Sequence, residues 1–420
     1  MIFAAALSAA DAGQAVKSAL TTVKLPLEDA DRVFLLAVGK ASAAMAAAVE
    51  RKLGARLTGG MVVTKHGHVT AKSKRLDVVE CGHPVPDEAG FAASAQVIKL
   101  LQELNARDLL IFAVSGGASA LLPAPVEAIT LQEKRTLTDL LLRAGADIFE
   151  LNTVRKHISS LKGGQLAAQA YPATVVSLLL SDVIGDSIEV IGSGPTAPDP
   201  STFADAIQIL KRYKLESRVP RSIRMRLERG AAGLLPETPK PGDPLFRNVR
   251  NIIVGSNRLA LEAAASQAKK LGYAPLILSS TMQGETREVA RVHAEILREA
   301  ASSRSPLCFL SGGETTVTVK GQGKGGRNQE FALAAAIAID GLKDVLVLSA
   351  GTDGTDGPTD AAGAMALGNT VGRARAAGLN AHEHLRNNDA YPFFDSLGDL
   401  IRTGPTGTNV MDVHLMLHRS

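Results

Sequence analysis

Residues 109–119, Leu-Leu-Ile-Phe-Ala-Val-Ser-Gly-Gly-Ala-Ser, carry the reading that decides the fold. Leu109 to Val114 is an unbroken apolar run, with no polar residue to mark a solvent face. Such a run reads as a buried strand of the kind found in parallel sheets. It ends in Ser115-Gly116-Gly117-Ala118-Ser119, where glycines let the backbone approach a ligand. The same grammar recurs on either side. Val33 to Val38 runs into Gly39-Lys40-Ala41-Ser42 and an Ala-rich helix, and Thr174 to Leu180 runs into Ser181-Asp182-Val183-Ile184-Gly185-Asp186. Gly60 to Thr64 and Leu76 to Glu80 read as further strands. His83-Pro84-Val85-Pro86 cannot be helical, and Asp87 is placed to cap the helix after it. This rhythm predicts α/β layers around a mostly parallel sheet, with ligands bound beyond the carboxyl ends of its strands.

The chain has 420 residues, enough for two or three domains. Its densest proline run, Leu234 to Pro244, predicts a boundary that divides it into residues 1–240 and 241–420. Beyond that run, Asn251 to Val254 and Ala274 to Leu278 resume the strand–helix alternation. Leu307 to Leu310 leads into Ser311-Gly312-Gly313, an echo of Ser115-Gly116-Gly117 that hints at related halves facing one cleft. Val345 to Leu348 leads into Ser349-Ala350-Gly351-Thr352-Asp353-Gly354-Thr355-Asp356-Gly357.

Composition narrows the function. Hydrophobic residues make up 45% and charged residues 21%, as in a soluble globular protein, and the formal net charge of +4 suits anionic metabolites. Aromatic residues are only 4%, tryptophan is absent and no Lys/Arg stripe forms, so nucleic acid is not an expected partner. Two cysteines, Cys81 and Cys308, are too few for a disulfide framework and fit a reducing cytosol. The opening MIFAAALSAADAGQAV has no cation before its apolar part and is too short to span a bilayer. It reads as a first amphipathic helix, with no membrane association. H-E-x-x-H, a cysteine cluster and G-x-S-x-G are all missing, which argues against zinc and α/β-hydrolase chemistry.

Residues 311–330 hold the densest chemistry. Ser311 to Val319 is followed by Gly321-Gln322-Gly323-Lys324-Gly325-Gly326-Arg327-Asn328-Gln329-Glu330, and Phe331 to Ile339 then reads as a helix. Two glycine turns, a lysine and an arginine around one short alternating strand predict an anion site. A flexible glycine turn without a ligand would carry the same residues. Gly321, Gly323 and Gly326 also satisfy G-x-G-x-x-G, the dinucleotide fingerprint, with Asp340 and Asp344 at the spacing of a ribose-binding acid. The polar–apolar alternation before them differs from a buried Rossmann strand.

Lys40 follows a strand end and can reach a phosphate or carboxylate, although a surface lysine on a turn would look alike. The turn is not a Walker A loop, because Phe34 stands where glycine is needed and Ala41 where the hydroxyl is needed. In Leu151 to Gly164, helical spacing puts Asn152, Arg155, Lys156 and Ser159 on one face and Val154, Ile158 and Leu161 on the other. Such a polar face is either a binding surface or solvated exterior. Asp182 and Asp186 in one loop, and Asp353, Asp356 and Asp360 in another, could serve Mg²⁺ or simply cap their turns.

Together these segments resemble the class II glycerate 2-kinases, whose C-terminal part is called the MOFRL domain. The resemblance covers nearly the whole chain. It rests on VGKAS at 38–42, GHPVPDEAG at 82–90, VSGGASALL at 114–122, NTVRKHISSLKGGQLA at 152–167, SDVIGD at 181–186 and GSGPTAPD at 192–199. It continues through SGGETTVTVKGQGKGGRNQEFAL at 311–333, SAGTDGTDGPTDAAGA at 349–364 and TGPTGTNVMDVHLML at 403–417. The resemblance implies a Rossmann-like N-terminal α/β/α domain with a mostly parallel sheet. A smaller C-terminal α/β domain would include the MOFRL region, about 305–415, with the active site in the cleft between the two. It implies ATP-dependent phosphorylation of D-glycerate at the 2-hydroxyl with a divalent cation such as Mg²⁺, in a cytoplasmic enzyme that could be a homodimer.

Motif match makes Lys40 and Arg327 catalytic, and Asp182 joins them as the candidate acceptor of the hydroxyl proton. Ser115, Gly116, Gly117, Ser119, Asn152, Arg155, Ser311, Gly312, Gly313, Glu314, Lys324 and Asn328 are the expected substrate and ATP contacts. Asp186 and Asp353 are the expected metal ligands, and which aspartate does which stays open. Relatives labelled hydroxypyruvate reductases keep an NAD(P)H-dependent reductase as the alternative.

Overall fold

The structure is a computed structural model that describes residues 1–69 and 73–419. The chain divides into two compact units: Ala12–Ser181 with Asp186–Val254, and Met1–Asp11 with Asp182–Gly185 and Gly255–Ser420.

The first unit holds strands β1 (Arg32–Val38), β2 (Gly59–Lys65), β3 (Asp77–Cys81), β4 (Asp108–Val114), β5 (Thr174–Leu180) and β6 (Val249–Gly255). They lie in the order β3-β2-β1-β4-β5-β6. The pairs β3–β2, β2–β1, β1–β4 and β4–β5 are all parallel. This is the Rossmann order, and its direction reverses between β1 and β4. Every residue of β4 is buried, which is why its sequence shows no alternation. β6 completes this sheet from beyond the proline run, so the unit extends to Val254 and not to a limit near 240.

A second core in this unit gathers Leu137, Leu141, Val154, Phe203, Leu210 and Leu227 from four helices. Three of those helices open on reciprocal capping boxes: Thr130 with Glu133, Asp147 with Glu150, and Thr202 with Asp205. The helix Ile148–Lys156 stops short of the extent that periodicity predicts, and Ser159 lies instead in a bridge with Pro125.

The second unit contains β7 (Ala274–Met282), β8 (Leu307–Gly313), β9 (Val345–Gly351), β10 (Gly363–Leu367), β11 (Leu400–Ile401) and β12 (Asp412–His418), ordered β11-β10-β9-β12-β8-β7. Only β7–β8 is parallel among its pairs, so this sheet is mixed. The helix Arg327–Ala338 is buried at every residue from Asn328 to Ala336. Its Phe331 joins one core, with Val347 and Met416, while Leu333 joins another, with Phe393 and Phe394. A helix enclosed all round needs small apolar residues, which accounts for its alanines.

Three expectations change here. The helix begins at Arg327, not Phe331, so Arg327 occupies its first turn. The alternating segment after Gly313 is not a strand; apart from one bridge between Thr316 and Glu285 it lies outside the sheet. Glu314 and Thr316 N–H still donate to the backbone, at Met282 O and Gly284 O (2.9 Å each), and beyond them side chains take over. Thr318 N–H donates to the Glu285 carboxylate (3.2 Å), and Lys320 and Gly321 N–H donate to Asn388 Oδ1 (2.9 and 3.0 Å). At the chain start, the expected single helix is two, Ile2–Ala10 and Ala12–Thr22, parted at Asp11. Among the described residues no helix is long and apolar enough to cross a membrane.

Candidate active site

In the first unit the sheet brings together two segments read separately in the sequence. β1 and β4 end side by side at the topological switch point, where Rossmann sheets bind ligands. Lys40 N–H donates to Gly116 O (2.9 Å), and Ala41 N–H donates to Ser115 Oγ (3.0 Å). Gly39, at φ 130°, permits this approach, since a Cβ there would lie 2.2 Å from Ser115 Oγ. Gly117, at φ 88°, is flanked by the His83 ring and the Lys40 stem, at 2.9 and 3.3 Å from where a Cβ would stand. Burial, followed by the Lys40 charge, pushes His83 down to about 4, so this imidazole is neutral. Sequence reasoning missed His83. The one signal was its place in the rigid His-Pro-Val-Pro segment.

A second group lies one turn further on. Ser119 Oγ is 3.0 Å from Ser193 Oγ, Ser193 donates to Asn152 Oδ1 (2.9 Å), and the Arg155 guanidinium donates to Ser119 Oγ. Three expected ligand contacts, Ser119, Asn152 and Arg155, thus converge, with Ser193 as the unforeseen link. The polar helical face is not solvated exterior: Asn152, Lys156 and Ser159 are all buried. Burial brings Arg155 down to about 10, and its buried Nε has no partner.

Below the group, Lys162 Nζ donates to Ser119 O (3.0 Å) and Leu122 O (3.1 Å), and Lys134 Nζ donates to Pro123 O. Burial, reinforced by neighbouring cations, holds both lysines well below their ordinary value. They anchor the short helix Ala118–Leu121 that follows the glycine turn.

The second unit is organised around Arg327. Its Nε and Nη2 donate to the two oxygens of Asp412 (2.6 and 3.1 Å), and Nη1 donates to Glu314 (2.7 Å). A guanidinium carries five N–H groups, so two remain, one on each Nη, for a ligand. Although burial disfavours its charge, Asp412 and Glu314 hold Arg327 above its ordinary value. Asp412 is fully buried. Burial pushes its carboxyl upward, opposed by Arg327 and by the Asn328 amide, which donates at 2.9 Å. Asp356 accepts the N–H groups of Asn328 (3.1 Å) and Gln329 (2.8 Å), satisfying the start of the helix from a distant loop. Burial raises Asp356 to about 6.

A cavity of about 640 Å³ opens beside this hub, lined among others by Thr315, Gly326, Arg327, Asp353 and Asp356. That volume suits a small polar ligand. Asp353 contributes to the wall, with one oxygen accepting Thr355 N–H (3.0 Å). Asp186, half-buried at φ 54°, lies in the 3₁₀ turn Ile184–Asp186. Asp182, also half-buried, lies two residues past β5.

Other expected contacts have partners within the protein. Ser311-Gly312-Gly313 is not a turn but the end of β8, paired with His414, Val413 and Asp412 of β12. Side chains at Gly312 and Gly313 would collide with Asn257 Oδ1 (2.1 Å) and Met282 O (2.2 Å). The Ser311 hydroxyl faces His293 Nε2 (2.7 Å). Exposed Glu314 orients Arg327, and Lys324 sits over the Tyr391 ring (4.3 Å). The apparent dinucleotide fingerprint also dissolves. Side chains at Gly321, Gly323 and Gly326 would strike Asn387 O, Asp389 Cβ and Asp356 Cγ at 2.2–2.4 Å. These glycines accommodate the protein's own chain, and no strand leads into them. Asp412 was missed entirely; an acid at the head of the apolar Asp412–His418 strand was the available signal.

The first unit is thus a parallel Rossmann-order sheet with a lysine at its switch point, and the second a mixed sheet built on a clamped arginine. Residues 1–228 match the model for the domain of unknown function DUF4147, and residues 307–412 match that of the MOFRL family. The chain belongs to the class II glycerate 2-kinase family with a C-terminal MOFRL domain. It is 44% identical to the D-glycerate 2-kinase of Thermotoga maritima, over 93% of this chain and 91% of that one. It is 42% identical to the glycerate 2-kinase of Pyrococcus horikoshii, over 91% and 86%. The crystal structure of glycerate kinase from Thermotoga maritima superposes with a TM-score of 0.92 at 42% identity, covering 100% of this chain and 98% of that one.

Proposed function

We propose that the protein transfers a phosphoryl group from ATP to the 2-hydroxyl of D-glycerate, giving 2-phosphoglycerate. The observation that carries this is the Arg327 clamp beside the 640 Å³ cavity: three N–H groups are tied to carboxylates and two remain for an anion. Similarity to glycerate 2-kinases along the chain supports the same reading. Phosphoryl transfer depends mainly on positioning and charge stabilisation, which a preset guanidinium supplies without reorganising.

In this reading Lys40 and Arg327 neutralise charge on the transferring group and fix the substrates. The Gly116-Gly117 turn offers backbone N–H groups to an anion, and Arg155 with Ser119 offers a second cationic contact. Asp182 accepts the hydroxyl proton. Mg²⁺ takes few protein ligands and keeps waters and phosphate oxygens. Isolated carboxylates such as Asp353 and Asp186 fit that demand better than a closed cage would. The ion would screen charge between the nucleotide phosphates.

The hydroxyl beside the carboxylate is selected only if that carboxylate is clamped. The assay supplies ATP, Mg²⁺ and D-glycerate with enolase and no phosphoglycerate mutase, and follows phosphoenolpyruvate. Phosphoenolpyruvate should appear at once and stop on adding EDTA. A signal that waits for mutase would mean transfer to the 3-hydroxyl, and NAD(P)H oxidation with hydroxypyruvate in place of ADP release would mean a reductase.

A further inference from the structure

Behind Arg327 and Asn328 runs a buried chain of polar side chains that the reaction as described does not use. Asn328 Nδ2 donates to Asp412 and to Asp356 (2.9 and 3.3 Å), so its Oδ1 must accept. The donor is the Ser349 hydroxyl, at 2.6 Å. A hydroxyl has one proton, so Ser349 Oγ must accept at its second contact, His414 Nδ1 at 2.8 Å. His414 Nδ1 therefore carries a proton. The ring stacks on Phe331, with centroids 4.2 Å apart and planes 8° from parallel, and its Nε2 is buried without a partner. A second histidine faces the same ring: His293 Nδ1 lies 2.8 Å from Val289 O, and its Nε2 lies 2.7 Å from Ser311 Oγ.

We propose that His414 is a positioning residue: its Nδ1–H, through Ser349, fixes the Asn328 amide and thereby the Asp412 carboxylate that aims Arg327. Each bond in the series has one possible direction, ending on the acceptor oxygens of Asp412. If Asn328 flipped its amide, its nitrogen would face Ser349 and its oxygen would face the Asp412 and Asp356 carboxylates. The Ser349–His414 pair forbids that flip. Burial, followed by the His293 and Arg327 charges, holds His414 well below its ordinary value, so the series stays in one protonation state. Of the two groups whose charges act on it, Arg327 belongs to the hub it orients and His293 packs beside it.

The inference rests on Arg327 acting in the proposed phosphoryl transfer, and two independent measurements test it. Asparagine places its amide where Nδ1 stood, and glutamine places it where Nε2 stood. Both lose the stack on Phe331, so packing loss is shared. His414→Asn should retain at least about tenfold more kcat than His414→Gln, with KM for both substrates moving less than about threefold, because misorientation chiefly affects the transition state. Ser349→Ala should fall with His414→Gln. If the Asn and Gln variants lose activity equally while melting alike, His414 only packs and the proposal fails. The second measurement needs no turnover: ¹⁵N spectra of the histidine-labelled wild type should show the Nδ1–H tautomer at His414. An Nε2–H tautomer would overturn the proposal even if the wild type proved not to phosphorylate glycerate. An inactive wild type with the Nδ1–H tautomer would refute the kinase reading and leave the orienting series in place.

Discussion

Replacing Arg327 by lysine keeps the charge and removes the planar fork. The native guanidinium holds both Asp412 oxygens and Glu314 at once, through atoms on three sides of one plane. An ammonium on a shorter reach can satisfy one carboxylate, so at least one charge-assisted bond is lost, and the two outward N–H groups lose their fixed direction. Such a bond is worth about 1.5–3 kcal/mol. The Arg327 side chain is 33% exposed, which favours the lower end, about 1.5–2 kcal/mol. At 1.36 kcal/mol per factor of ten, Arg327→Lys should lower kcat about 10- to 30-fold. The assay is ADP release on adding D-glycerate, with melting temperature measured in parallel. Glu314→Gln, at an exposed partner, should cost less than about threefold by comparison. If Arg327→Lys retains kcat within about threefold of wild type, the fork is irrelevant and Arg327 acts as a generic positive charge.

Lys40→Met keeps the aliphatic stem against Gly117 and removes the charge, so turnover should fall roughly 10²- to 10³-fold while melting temperature barely moves. Turnover near wild type would remove Lys40 from the mechanism. Asp356 supplies a pH prediction. Its folded value, about 6, lies above the usual 3.8, so the folded state binds more protons between those limits. Its contribution to stability is therefore fullest near pH 4 and declines as pH rises to about 6. The stability difference between wild type and Asp356→Asn should shrink across that window, and a difference that grows with pH would contradict the burial argument.

Which parts of this were legible depended on where the determining partner lay. β4 could be read from Leu109 to Val114 alone, because complete burial removes alternation and leaves an unmistakable run. The turns at Lys40 and Ser115 were equally plain, though their meeting came only from the strand order. The two Ser-Gly-Gly segments show the limit. Identical triplets became a turn at 115–117 and a strand end at 311–313, because β12 pairs alongside the second and Asn257 and Met282 press against it. The alternation from Glu314 to Val319 misled for a related reason: its backbone pairing ends at Thr316, and Thr318 N–H turns to the Glu285 side chain. Arg327 stood out as a cation beside glycines. Asp412, which orients it, is 85 residues away in a strand with no glycine to mark it.

The second unit is stitched from three separate lengths of chain, and its first length is the amino-terminal helix Ile2–Ala10. That helix packs on the helix Asn257–Lys270, and Ala10 O accepts a hydrogen bond from the Thr408 hydroxyl. A ribosome therefore makes this helix well before its partners, which emerge only after the whole first unit has been synthesised. Until then its apolar face, Ile2, Phe3 and Ala6, has nothing of its own unit to cover it. The first unit can close as soon as β6 is out, whereas the second must wait for a loop closure that spans most of the chain. No single cut yields two complete domains: a fragment beginning at Gly255 would bare the Asn257–Lys270 helix on the side that the amino-terminal helix covers.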